Sequence, residues 1–143
     1  MPLITVQYAT PQPARAKAEA IAKAVNQLSA EVLRKDPNVT AIITEEVKPS
    51  HWFVADRTLA QHGLASFWID IRIVEGTNTR EEKAAFVAAA FARMQELLGP
   101  LHGESYVHVN EVRGDAYGYG GVTQNERYIA GRLKALGKAA LEG

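Results

Sequence analysis

The sequence predicts an α+β fold, with two tandem β-α-β units side by side in a four-stranded sheet, both helices on one face, and a C-terminal helix at the end. Three observations carry this. The chain repeats itself at one constant offset of 65 positions, Ile4 falling on Ile69. Each repeat passes from alternating to helical and back to alternating periodicity. The long helical stretches are bounded by recognisable start and stop signals.

The first strand of each repeat shows as Ile4, Val6 and Tyr8 falling on Ile69, Ile71 and Ile73, apolar at every second position. Thr10-Pro11-Gln12 falls on Glu75-Gly76-Thr77, the turn into a helix. Ala16, Ala20, Ala24, Val25, Leu28 and Val32, with Phe86, Ala90 and Leu97, recur at helical spacing, so each helix has one core face. The first helix is expected from near Pro13 to near Asp36-Pro37. The second opens on the capping box Thr79-Arg80-Glu81-Glu82 and stops at Leu98-Gly99-Pro100. Glu46-Val47 falls on Glu111-Val112, closing a second strand, and Trp52 falls on Tyr117. A third helix follows the capping box Thr123-Gln124-Asn125-Glu126, with apolar Ile129, Leu133 and Leu136. It is read as having no partner in the first copy and as an oligomer-facing or sheet-covering tail. The organisation is a single domain over 1–143, with a first unit at 2–62, a second at 66–121 and a helical tail at 122–143.

A right-handed crossover makes the two strands of each unit parallel. Strand parity sends Val107 and Val109 to the helices and Tyr106, His108 and Asn110 to the opposite sheet face. Thr5, Gln7, Trp68, Asp70 and Arg72 share that second face, with Asp70 and Arg72 expected as an ion pair. Large aromatics mixed with a few charges suit a subunit interface, so an oligomer is expected.

Composition narrows the function. At 143 residues the chain fits one domain with a real core. Sixteen basic and sixteen acidic residues cancel, giving no broad field for nucleic acid or an anionic membrane. No cysteine is present, which removes thiolate chemistry and disulfides. The longest apolar stretch, Ala84 to Ala92, is far short of the roughly 20 residues that span a bilayer. The N-terminus lacks a basic n-region and alternates in polarity, unlike a secretory signal. A cytoplasmic location is the default expectation. The histidines at 51, 62, 102 and 108 show no ligand spacing, and no phosphate-binding glycine motif occurs, so no metal and no cofactor are assigned.

Pro2 is the residue with chemical potential. Methionine is normally removed before a small second residue, which would leave a free secondary amine. An α-amino group titrates near ~8, and burial lowers that value by disfavouring the charged form. A neutral amine can take a proton from carbon beside a carbonyl and return it elsewhere, and the proline ring stiffens the base. A retained Met1 would turn this base into an amide.

Met-Pro-Leu-Ile opening a strand, then a helix, then Ile42-Ile43-Thr44-Glu45, resembles the 4-oxalocrotonate tautomerase family. The second copy resembles it too, in Ile71-Arg72-Ile73-Val74-Glu75-Gly76 and in the hairpin Tyr117-Gly118-Tyr119-Gly120-Gly121. The resemblance covers residues 2 to about 121 and is that of a fused member of the tautomerase superfamily. It implies a tautomerase/MIF-like fold, a homotrimer in place of a hexamer, and a small-molecule substrate. Pro2 maps onto the family's catalytic proline, while its counterpart Phe67 has no free amine. The implied activity is a cofactor-independent isomerase with Pro2 as general base on a small keto–enol or unsaturated acid. Related members use the amine as a general acid in hydration or dehalogenation, and a trimeric binding module without chemistry is a third possibility.

The family's carboxylate-binding arginines are missing: their positions fall on Gln12 and on Thr77 or Asn78, and on Ala41 and Tyr106. Without a guanidinium clamp, 4-oxalocrotonate itself is not the expected substrate. Arg15, Arg57, Arg72 and Arg113 remain as other sources of charge. The resemblance places Tyr117 beside the proline and the turn residues Thr77 and Asn78 near it, all in the same chain. It lets Tyr106 and His108 approach from a neighbouring subunit.

Overall fold

The computed structural model describes residues 1–142. The first repeat consists of β1 (Leu3–Ala9), α1 (Ala18–Leu33), β2 (Ala41–Glu46), the hairpin β3 (Phe53–Val54) and β4 (Arg57–Thr58), and the one-turn helix α2 (Leu59–His62). The second consists of β5 (Ser66–Val74), α3 (Arg80–Leu98), β6 (Tyr106–Val112), the hairpin β7 (Gly118–Tyr119) and β8 (Val122–Thr123), and α4 (Gln124–Glu142). The main sheet runs β2-β1-β5-β6. Each repeat contributes a parallel pair, and the two pairs join antiparallel between β1 and β5.

Alternation along the central strands creates the core. Ile4, Val6 and Tyr8 of β1 and Phe67, Ile69, Ile71 and Ile73 of β5 are all buried, under Ile21, Val25 and Leu33 of α1 and Phe86, Met94 and Leu98 of α3. Each such side chain contributes about 1.5–3 kcal/mol through lost water contact. Phe67, the counterpart of Pro2, is wholly buried in this cluster.

The capping of α3 follows the sequence. Thr79 Oγ1 accepts from the Glu82 N–H at 3.1 Å, and Glu82 Oε1 accepts from the Thr79 N–H at 2.8 Å. Replacing Thr79 by Ala is expected to destabilise the fold by about 1 kcal/mol, read as a lower urea midpoint with an unchanged m-value.

Two expectations are corrected. The first helix begins at Ala18, not near Pro13, because Pro13–Arg15 form a separate 3₁₀ turn. That turn is held to the end of α3. Thr10 Oγ1 donates to Leu98 O at 2.8 Å and accepts from the Gln12 N–H, while Arg15 donates to Gln12 Oε1 and to Glu96 O. The helix closes at Leu33 rather than near Asp36, since Arg34 adopts a left-handed conformation with φ 59°. The C-terminal helix also has a partner in the first copy. At the same offset Thr58 falls on Thr123, and Thr58 and Gln61 form a capping box that starts α2 as Thr123 and Glu126 start α4. Left-handed Gly63 ends α2 after one turn, whereas α4 runs on.

The sheet face away from the helices carries Thr5, Gln7, Trp68, Asp70, Arg72, Tyr106 and His108. Trp68 lies beside both the Tyr106 and the His108 rings, with centroids 6.3 and 6.1 Å away. Asp70 meets Arg72 Nε at 3.6 Å and His108 Nδ1 at 3.4 Å. Tyr106 and Ile43 are more than half exposed there. Along α4 the stripe Ile129, Leu133 and Leu136 is likewise exposed. Among the described residues no helix is long and apolar enough to cross a membrane.

Candidate active site

Pro2 is buried at the start of β1, and its carbonyl accepts from the Ala41 N–H at 3.2 Å. The next residue, Leu3, lies in register between Ala41 of β2 and Arg72 of β5. The proline is therefore fixed between two strands, at the sheet end where the second repeat's hairpin arrives.

Tyr117 comes from that hairpin. Its hydroxyl donates to the Met1 carbonyl at 2.7 Å. That carbonyl carbon is bonded to the Pro2 nitrogen, so the phenol stands within one small group of the candidate base. Burial pushes the Tyr117 phenol above its ordinary range, opposed by the Leu3 amide and the positive charge of Arg72. The hairpin is tight for a stated reason: a Cβ on Gly118 would come within 2.3 Å of Val122 O, and Gly120 and Gly121 take φ of 60° and 80°. The α4 helix holds it. The Gln124 N–H donates to Tyr117 O at 2.9 Å, and Arg127 lies over the Tyr119 ring, 3.9 Å from its centre.

A cavity of about 390 Å³ opens beside Met1, lined by Lys35, Glu75, Thr77, Asn125 and Tyr128 among others. Lys35 is the cation in it. The left-handed Arg34 turns the chain out of α1, and the Lys35 N–H donates to Ser29 O at 3.2 Å. Its Nζ donates to Thr77 Oγ1 at 3.0 Å, and Thr77 Oγ1 donates to Val74 O at 2.6 Å. Burial holds the Lys35 ammonium below its usual range; Arg34 adds to this, and Glu82 opposes it. The Met1 amine, one residue before Pro2, is also lowered, first by burial and then by the charge of Lys35, with Asp36 working the other way.

Of the residues singled out from sequence, Tyr117 bonds Met1, the residue before Pro2, and Thr77 lines the cavity beside Met1. Asn78 is adjacent, but its Nδ2 donates to Leu33 O at 2.9 Å, holding the last turn of α1. Tyr106 and His108 lie on the exposed sheet face, and Tyr106 OH bonds Glu104. The arginines divide similarly. Arg113 forks to Asp115, Arg57 reaches Gln61 O, and Arg15 sits at the opposite sheet end; only Arg72 acts electrostatically on Tyr117. Lys35 was not singled out from sequence. Among the described residues no three His, Asp or Glu side chains converge as a metal site.

Residues 2–61 match the family model described as Tautomerase enzyme. No curated protein sequence matches the chain. Solved structures share its fold along nearly their whole length. A protein described as Q0 fused 4-OT wild type symmetric trimer superposes with a TM-score of 0.73 at 20% identity, covering 87% of this chain and 98% of that one. N1, a member of the cis-3-chloroacrylic acid dehalogenase family, gives 0.68 at 17% identity over 88% and 90%. FG41 malonate semialdehyde decarboxylase, inhibited by 3-bromopropiolate, gives 0.66 at 20% identity over 91% and 96%.

Proposed function

We propose that this chain, a tandem member of the tautomerase superfamily, is an isomerase whose Pro2 amine, freed by removal of Met1, moves a proton on a small enol or unsaturated acid. One observation carries the reading. The position next to the Pro2 nitrogen is occupied by a carbonyl oxygen hydrogen-bonded to Tyr117, and the same residue, Met1, lines an open cavity that also holds Lys35. Met1 marks where a substrate's carbonyl group would sit.

Each residue then has a role. The neutral Pro2 amine takes the enol hydroxyl proton and returns it to the carbon at the other end of the double bond. Oxygen ends as a carbonyl and the amine is regenerated. The Tyr117 hydroxyl donates to that oxygen while its charge develops. Lys35, positioned by Thr77, pairs with the substrate carboxylate in place of the absent arginines. In a homotrimer the exposed sheet face would be covered, and Tyr106 and His108 would reach a neighbouring copy's site. The exposed stripe of α4 would pack in the same assembly.

Burial and the charge of Lys35 lower the amine of Met1, and surroundings of the same kind would act on Pro2 once Met1 is removed. A lowered amine is more fully neutral at pH 7 and loses activity only as acid protonates it. Phenylenolpyruvate is therefore expected to ketonise faster with the processed protein than in buffer. Its kcat/KM should fall on the acid side with a midpoint below the ordinary value of about 8. Buffer-like rates with both phenylenolpyruvate and 2-hydroxypenta-2,4-dienoate would refute the assignment.

A further inference from the structure

The cavity beside Pro2 holds one cation and one anion that have no ionic partner within 4 Å among the described residues. Lys35 is bonded only to the neutral Thr77 hydroxyl. Glu75 stands in the same turn, two residues before Thr77, and also lines the cavity. Its backbone is fixed, since the Glu75 N–H donates to Val112 O at 2.8 Å and Thr77 Oγ1 bonds Val74 O. Arg113, whose guanidinium feels the Glu75 charge, is forked onto Asp115. The Glu75 charge is therefore left to act on whatever enters.

We propose that Glu75 makes this pocket selective for monocarboxylates by repelling a second carboxylate on any ligand whose first is held by Lys35. The inference rests on the reading of the Lys35 cavity as the substrate site. A cavity of about 390 Å³ is about 9 Å across if roughly spherical, near the length of a six-carbon diacid. A diacid anchored at Lys35 thus keeps its other end within about one Debye length of Glu75, about 8 Å at physiological salt, where screening is incomplete. The remaining wall offers Val74, the Tyr128 ring and the neutral amides of Gln124 and Asn125, so no second cation there would hold another carboxylate. Exclusion by a like charge is a means of specificity distinct from any added attraction.

The test uses the processed full chain and two unreactive ligands that differ at one end only. These are trans,trans-hexa-2,4-dienoate, which ends in methyl, and trans,trans-hexa-2,4-dienedioate, which ends in a second carboxylate. Dissociation constants from NMR titration are expected to favour the monoacid in the wild type. Glu75→Gln should shift the ratio toward the diacid by about five- to tenfold, and 0.5 M salt should shift the wild-type ratio the same way. Equal wild-type affinities, or a Glu75→Gln ratio identical to wild type, would overturn the charge filter. Lys35→Met reports on the cavity itself and should weaken both ligands. If it changes neither, the substrate-site reading fails and the filter with it.

Discussion

Pro2→Ala is expected to lower kcat/KM for phenylenolpyruvate by about 10²- to 10⁴-fold, the range that a positioned general base contributes. The variant still loses its methionine and still ends in an amine, but a primary one on a freely rotating residue. What disappears is the fixed φ and the ring that aims the lone pair. The fold should persist, because the one backbone hydrogen bond at this position is accepted by the residue's own carbonyl, which alanine retains. Unchanged circular dichroism and melting temperature, alongside the lost rate, would separate chemistry from stability. Wild-type rates would show that another group moves the proton.

Lys35→Met has the second-largest expected effect, and it differs in kind. The methionine keeps the apolar stem and removes the charge. A hydrogen bond to a charged group is worth about 1.5–3 kcal/mol, so KM should rise by about 10- to 100-fold while kcat falls less. The pH profile should move as well. Burial first and the charge of Lys35 second lower the Met1 amine, so if Pro2 inherits these surroundings, removing Lys35 takes away the smaller of the two effects and the acid limb shifts to higher pH. A change in KM without a shift in the limb would place Lys35 away from the base.

The fold was legible because one pattern was written twice. Alternation at Ile4, Val6 and Tyr8 and at Ile69, Ile71 and Ile73 fixed the core face, and Thr79 and Gly99 marked the ends of α3. What escaped depended on contacts remote in sequence. The start of α1 was misplaced because Arg15 is held by Glu96, 81 residues away. The one-turn helix α2 was missed because four residues are too few for periodicity to show, although Thr58 and Gln61 signalled its cap. In the candidate site, the repeat and the family pattern single out Pro2 and Tyr117, and Tyr117 bonds the residue before Pro2. Lys35 was not singled out, because the equivalent position in the second copy is Pro100, so the repeat does not mark it. Only the left-handed turn at Arg34 brings that ammonium to Thr77.

The central claim is that Pro2 presents a free amine, neutral near pH 7. It is tested most directly by ¹⁵N NMR of the chain labelled at its six prolines. A single secondary-amine resonance titrating with a midpoint below about 8 is the predicted result. Six amide-like prolines that do not titrate, or an amine midpoint above that value, would contradict it.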